Sequence, residues 1–158
     1  MTMDKDAVGA SGAPFTLEVE RGKIAEFARA THGADPAYFR PERAVVPPTF
    51  LTTILFWETL VEGANPWARL KMDQQRGMHA EQEYEFHGPP PRAGDRLTCT
   101  SKVTELYEKA GRRGGVLTFA VMVTEFRDAT GKLVATAKMT GVETERAPDE
   151  GGATGGGK

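Results

Sequence analysis

The chain has a single cysteine, Cys99, so no disulfide can close within it. A lone thiol suits a reducing compartment. Neither sign of charge is in excess: 20 Lys and Arg face 22 Asp and Glu, for a formal net charge of −2. That balance supplies no electrostatic drive toward nucleic acid or anionic lipid. No apolar run reaches the roughly 20 residues that a bilayer span requires. Asp4, Lys5 and Asp6 interrupt residues 1–13, which therefore lack the apolar stretch of a secretion signal. A cytoplasmic address follows as the expectation. Internal repeats are also missing. Five of the eight residues 151–158 are glycine, and the segment has nothing to bury.

What remains is enough for one domain with a real core. The organisation expected is a flexible N-terminus over 1–13, a single domain over 14–147 and a disordered Gly-rich tail over 148–158.

Its most apolar stretch lies at residues 47–63. Pro47 and Pro48 stop any preceding helix, Thr49 is placed to cap, and Gly63 to close the C-terminus. Phe50, Ile54, Trp57 and Val61 share one stripe, and Leu51, Leu55 and Phe56 widen it. The pattern predicts one long helix, apolar around most of its circumference and so covered on most sides.

The rest of the chain supplies the cover. Residues 15–20 alternate apolar and polar, as a half-buried strand does. Ile24, Phe27, Ala28 and Thr31 mark one face of a helix over 23–31, with Gly33 as its stop. Asp35-Pro36 starts a short turn through Phe39. From His79 the period becomes two: Ala80, Gln82, Tyr84 and Phe86 on one face, His79, Glu81, Glu83, Glu85 and His87 on the other. Further strands are expected over 97–107, 116–126 and 133–142. The strand over 116–126 is apolar on both faces, hence central. Helices first and antiparallel strands after give an α+β domain.

These segments resemble a known family. The resemblance rests on residues 27–39 (Phe-Ala-Arg-Ala-Thr-His-Gly-Ala-Asp-Pro-Ala-Tyr-Phe), on Val46-Pro47-Pro48-Thr49-Phe50, on residues 79–86 (His-Ala-Glu-Gln-Glu-Tyr-Glu-Phe) and on Pro91-Arg92-Ala93-Gly94-Asp95. Together they look like the MaoC-like dehydratases, in particular the fatty-acid-synthase-like dehydratase subgroup. The resemblance implies a hot-dog fold, a twisted antiparallel sheet wrapped around one long central helix. It implies reversible water addition to a 2-enoyl thioester of coenzyme A or acyl carrier protein, giving an (R)-3-hydroxyacyl product, without metal or organic cofactor. It also implies pairing of subunits, as a homodimer or beside a second MaoC-like chain.

In that family an Asp and a His, spaced as Gly-Asp-x-Asn-Pro-x-His, hold the water and move protons. Setting Asp35-Pro36 on the family's Asn-Pro puts Gly33 at the Asp position and Tyr38 at the His position. Glycine has no carboxylate, and a phenol with an ordinary pKa of ~10 is a poor base at neutral pH. The implied role is a subunit of an (R)-specific enoyl-thioester hydratase or 3-hydroxyacyl-thioester dehydratase that lacks the dyad. It would shape the acyl channel beside a catalytic partner. Two alternatives stay open: a hot-dog acyl-CoA thioesterase, for which Glu58 and Glu62 are the helix carboxylates, and a non-catalytic acyl-CoA-binding scaffold.

Each candidate residue carries a plainer reading. His32 is either a displaced proton carrier or a residue at a helix end. Asp35 either holds water or caps the turn. Tyr38 either enters the substrate channel or packs on Ile24 and Phe27. Thr49 and Phe50 either bring amides to the thioester or merely open the helix. Arg112 and Arg113 either meet coenzyme A phosphates or form a solvated hairpin tip. His79, Glu81 and Gln82 either face a partner subunit or face water. Glu58, in the apolar helix, is expected at solvent or an interface, because a buried carboxyl is costly and titrates high.

Overall fold

The computed structural model describes residues 3–112 and 115–145. After a 3-10 turn at Lys5–Ala7 come β1 (Phe15–Glu18), α1 (Arg21–Ala30) and a 3-10 turn at Pro36–Phe39. A third 3-10 segment, Phe50–Ile54, runs directly into α2 (Leu55–Glu58), and a fourth covers Pro66–Leu70. The strands β2 (Gly77–Phe86), β3 (Arg96–Ala110), β4 (Val116–Arg127) and β5 (Leu133–Thr144) complete the domain. All five strands form one antiparallel sheet in the order β1-β3-β4-β5-β2. This is the α+β arrangement expected.

The helical segments share one core with the sheet. Ile24 of α1 and Phe50, Leu51 and Ile54 pack with Leu17, Leu97, Cys99, Phe126, Ala135 and Ala137. As expected of a strand with neighbours on both edges, β4 buries Ala120, Val121 and Met122 in succession. Irregularities shift the register in three places, in β3 between Val103 and Glu105, in β2 between His79 and Glu81, and at Phe126 and Arg127 of β4.

Three expectations are corrected. First, the long central helix is short. Phe50–Ile54 is 3-10, and the α-helical part is Leu55–Glu58 alone. The β-branched run Thr52-Thr53-Ile54 is weak in helix propensity. A 3-10 turn of three residues also rotates every later side chain away from where a 3.6 period puts it. Accordingly Leu55 (58%), Phe56 (64%) and Leu60 (74%) are exposed, although Phe50 and Leu51 are fully buried.

Second, the N-terminus is packed over its described part. Met3 and Ala7 join Leu70, Val103 and Ala120 in a second apolar cluster. The Asp4 amide donates to the Leu70 carbonyl, and Val103 exchanges backbone hydrogen bonds with Gly9 and Ala10. Gly12 lets the chain pass against the Ala64 carbonyl, with which a Cβ would collide. Only two apolar side chains anchor this segment, too few to stand out by composition. The expected Gly-rich tail, 148–158, lies outside the described residues.

Third, α1 ends one residue earlier in its logic than expected. His32, not Gly33, takes the left-handed conformation (φ 56°). The Gly33 amide then reaches back to the Ala28 carbonyl (2.7 Å) and the His32 amide to that of Arg29 (3.2 Å), which is a Schellman closure.

Candidate functional site

That closure sets the first half of the site. It turns the chain so that Gly33 meets Tyr38, the two positions matched above to the family's Asp and His. A Cβ on Gly33 would lie 3.2 Å from Tyr38 Cε2. Tyr38 is half-buried and packs on the main core. His32, held by its backbone role, is exposed. Asp35 Oδ1 accepts from the Ala37 amide at 2.8 Å, so its carboxylate caps the turn.

Thr49 opens the 3-10 stretch without a side-chain capping bond. Phe50 is fully buried, edge-on to Phe27 with ring centroids 5.7 Å apart. Its amide donates to the Pro47 carbonyl at 3.0 Å and is thereby committed within the turn. Arg112 is exposed at the β3–β4 hairpin; Arg113 lies outside the described residues.

The second half of the site is a cavity of about 100 Å3 between the helical stretch and the sheet. Leu51, Ile54 and Glu58 line it from one side, and Gln82, Tyr84, Met122, Thr124 and Met139 are among the residues that line it from the sheet. His79 reaches it too. A strict period of two sets His79 with Glu81, opposite Gln82. The bulge between His79 and Glu81 breaks that phase and brings His79 to the cavity with Gln82 and Tyr84. Glu81 stays exposed and does not line the cavity.

Glu58, expected outward, is only 4% exposed. The shortened helix is the cause, since the 3-10 turn before it brings this side chain inward. Burial pushes its carboxyl above the ordinary range, and a side-chain hydrogen bond with Asn65 opposes that effect. Its Oε2 has no hydrogen-bond partner among the described residues. The Tyr84 phenol is likewise pushed up by burial, against a hydrogen bond with Thr52. Away from the cavity, a further buried carboxylate, Glu143, accepts from Arg76 Nη2 (2.9 Å) and from the Asp73 amide (2.9 Å). These contacts fasten the loop before β2 to the end of β5.

Residues 6–137 match the family model described as FAS1-like, dehydratase domain region. The chain belongs to this family. A UPF0336 protein of Streptomyces coelicolor is 38% identical over 120 residues, 70% of this chain and 78% of that protein. Among solved structures, the C-terminally truncated HadBC (3R-hydroxyacyl-ACP dehydratase) complex of Mycobacterium tuberculosis superposes with a TM-score of 0.67 at 24% identity. The match covers 87% of this chain and 98% of that one. The (R)-hydratase of A. caviae involved in PHA biosynthesis gives a TM-score of 0.55 at 19% identity, covering 85% and 94%. The fold is thus the hot-dog fold of the MaoC-like dehydratases.

For a FAS1-like dehydratase chain, the polar groups fall in two places. Gly33, Asp35 and Tyr38 cluster at the end of α1, and Glu58, His79, Gln82 and Tyr84 cluster under α2. Tyr84 escaped sequence reasoning as a cavity residue, and Glu58, weighed as a thioesterase carboxylate, was expected outward; the threonines before Glu58 were the available sign of a non-α turn. Among the described residues no group of three His, Cys, Asp or Glu side chains is placed to hold a metal. No described helix is long and apolar enough to cross a membrane.

Proposed function

We propose that this chain is the dyad-less subunit of an (R)-specific enoyl-thioester hydratase or 3-hydroxyacyl-thioester dehydratase, with residues 14–147 acting as one hot-dog unit. A MaoC-like partner supplies the Asp and His, and this chain supplies the second wall of the acyl channel. The observation that carries the reading is the contact between Gly33 and Tyr38. The two dyad positions are side by side, yet they offer no carboxylate and no imidazole. His32 and Asp35, the nearby titratable groups, have backbone and capping duties.

Two further features support it. Leu55, Phe56, Leu60 and Val61 present an exposed apolar face of the kind that a partner covers. The 3-10 start of the central segment, with the Phe50 amide already engaged, aligns few amides toward a thioester carbonyl. Carbonyl polarisation then falls to the partner as well. HadBC is itself a complex, which agrees with a paired assembly acting on an acyl-carrier-protein or coenzyme A thioester in the cytoplasm. The thioesterase reading is weaker, because Glu58 sits buried with no cation in contact among the described residues, and burial raises its pKa and so disfavours the ionised form that a hydrolytic base or nucleophile needs.

The test is hydration of crotonyl-CoA by the purified chain, alone and mixed with a chain carrying Gly-Asp-x-Asn-Pro-x-His. Turnover in the mixture alone is expected. Release of free coenzyme A by the lone chain would favour hydrolysis, and hydration by the lone chain would remove the need for a partner.

A further inference from the structure

The strand β2 forms one margin of the sheet, and among the described residues β5 is its single neighbour. It is ten residues long and largely exposed. The His87 amide donates to the Val134 carbonyl of β5 at 2.9 Å. Along an antiparallel ladder, pairs that exchange such bonds alternate with pairs that do not. The backbone groups of Glu85, Glu83 and Glu81 therefore point to β5, and those of Phe86, Tyr84 and Gln82 point to the open side. A row of backbone donors and acceptors with no strand beside it is a template for pairing.

The side chains along this edge decide what can pair with it. Glu81, Glu83 and Glu85 stand exposed in one row, opposite the face on which Tyr84 and Phe86 meet the core. Lys138 of β5 stands across from Glu83, and His87 lies 3.7 Å from Glu85, so the row keeps an acidic excess. A second copy of this chain would meet β2 with its own β2 about a two-fold axis. Continuing the sheet with both cores on one side keeps odd-numbered residues opposite odd-numbered ones. An axis at Glu83 sets Glu81 against Glu85 and Glu83 against its own copy. An axis at Gln82 or Tyr84 sets Glu83 against Glu81 or Glu85. Each such pair is of the non-hydrogen-bonded kind, in which Cα atoms stand about 4.5 Å apart and side chains come closest. Like charges so placed oppose the pairing.

The open edge is also continuous with the exposed face of α2. Leu55, 58% exposed, lines the cavity together with Gln82 and Tyr84. A strand added beside β2 extends the sheet past that cavity, and its inward side chains then cover Leu55.

We propose that the open edge of β2 is the docking site for one extended strand of a partner protein with Lys or Arg at alternate positions, and that the row of Glu81, Glu83 and Glu85 turns away a second copy of this chain. The basic side chains stand opposite the glutamates, and the residues between them carry the main-chain hydrogen bonds to Gln82, Tyr84 and Phe86. This deepens the paired-subunit reading above: it rests on that reading for the existence of a partner and adds which strand meets it and with which charge.

The test uses the full chain and a charge-reversed copy of it, Glu81→Lys/Glu83→Lys/Glu85→Lys, so no catalytic subunit enters. Exchange of the Gln82, Tyr84 and Phe86 amides with water is read by NMR on labelled wild type. In the wild type alone, these amides should exchange at a rate independent of protein concentration. Adding the charge-reversed copy should slow them at least about tenfold, as three cross-strand pairs turn from like to opposite charge. Raising NaCl from about 0.05 M to about 0.5 M should weaken that complex at least about fivefold. Concentration-dependent protection in the wild type alone overturns the proposal, as does an unprotected edge in the mixture or a complex indifferent to salt. Should the charge-reversed copy not fold, Glu81→Gln/Glu83→Gln/Glu85→Gln decides. With the charge gone, its own edge amides should become protected as concentration rises, and unchanged exchange overturns the proposal. Edge pairing without crotonyl-CoA turnover in any mixture with a dyad-bearing chain keeps the docking edge and removes the hydratase reading. Turnover in such a mixture with the edge amides unprotected does the reverse.

Discussion

Gly33 and Tyr38 are in contact, close enough that a Cβ on the glycine would stand 3.2 Å from the tyrosine ring. In the proposed reading the pair takes the two places of the family's proton-handling groups; what the structure shows of it is packing. Gly33→Ala should therefore destabilise the chain by about 1 kcal/mol, the lower end for overpacking beside a ring that can shift slightly. In urea denaturation the cost should largely vanish on a Tyr38→Ala background, where the ring is gone. Full additivity of the two substitutions would deny the contact.

Burial of Glu58 has a pH signature. Its folded pKa lies above the ordinary 4.5. A raised value means that the carboxyl's contribution is complete below about 4.5 and is lost as pH rises through the folded value. Glu58→Gln removes that loss. Its stability relative to the wild type should climb with pH from about 4.5 upward and then level off, measured by urea titrations across that range. A difference independent of pH would place the side chain in water.

Cys99 should be silent in the native state. Burial pushes its thiol from 9.0 to about 12, against a hydrogen-bonding influence from Leu17. At pH 8 the thiolate fraction falls by about a thousandfold relative to an ordinary thiol. Maleimide should label Cys99 at the rate of unfolding, and promptly in denaturant. Rapid native labelling would contradict the burial.

The sheet was legible from the sequence and the helix was not, for a physical reason. Strand alternation has a period of two that survives local irregularity, so Leu97, Cys99, Ser101 and Val103 appear inward as expected. Where a bulge adds a residue, as beside Ala80, the phase is lost and His79 changes its surroundings. Helical faces depend on 3.6 residues per turn, and a 3-10 turn at Phe50–Ile54 carries Glu58 inward and Leu55 and Phe56 outward. The proposed lack of a dyad rests on residue identity at Gly33 and Tyr38, to which the geometry adds only that the two lie close together. The Glu58–Asn65 pair was not legible, because it joins a helix to a loop across a turn whose path no local pattern fixes.

The exposed apolar face gives a prediction about assembly. Leu60 is 74% exposed and holds no core contact of note, so Leu60→Glu should change the stability of the chain alone by no more than about 0.5 kcal/mol. Binding to the catalytic partner, measured by titration calorimetry, should weaken at least about tenfold, the effect of placing a charge in an apolar contact. Unchanged affinity would move the interface elsewhere.

The source of the protons is tested most directly by stripping the titratable groups from residues 32–38 without disturbing the fold. His32→Gly keeps the left-handed closure, Asp35→Asn keeps the cap, and Tyr38→Phe keeps the packing. The triple variant, combined with the dyad-bearing partner, should hydrate crotonyl-CoA with a kcat within about twofold of the unaltered complex, since general acid–base groups are worth about a hundredfold or more and none is being removed. A loss of about a hundredfold would mean that this chain handles the protons itself.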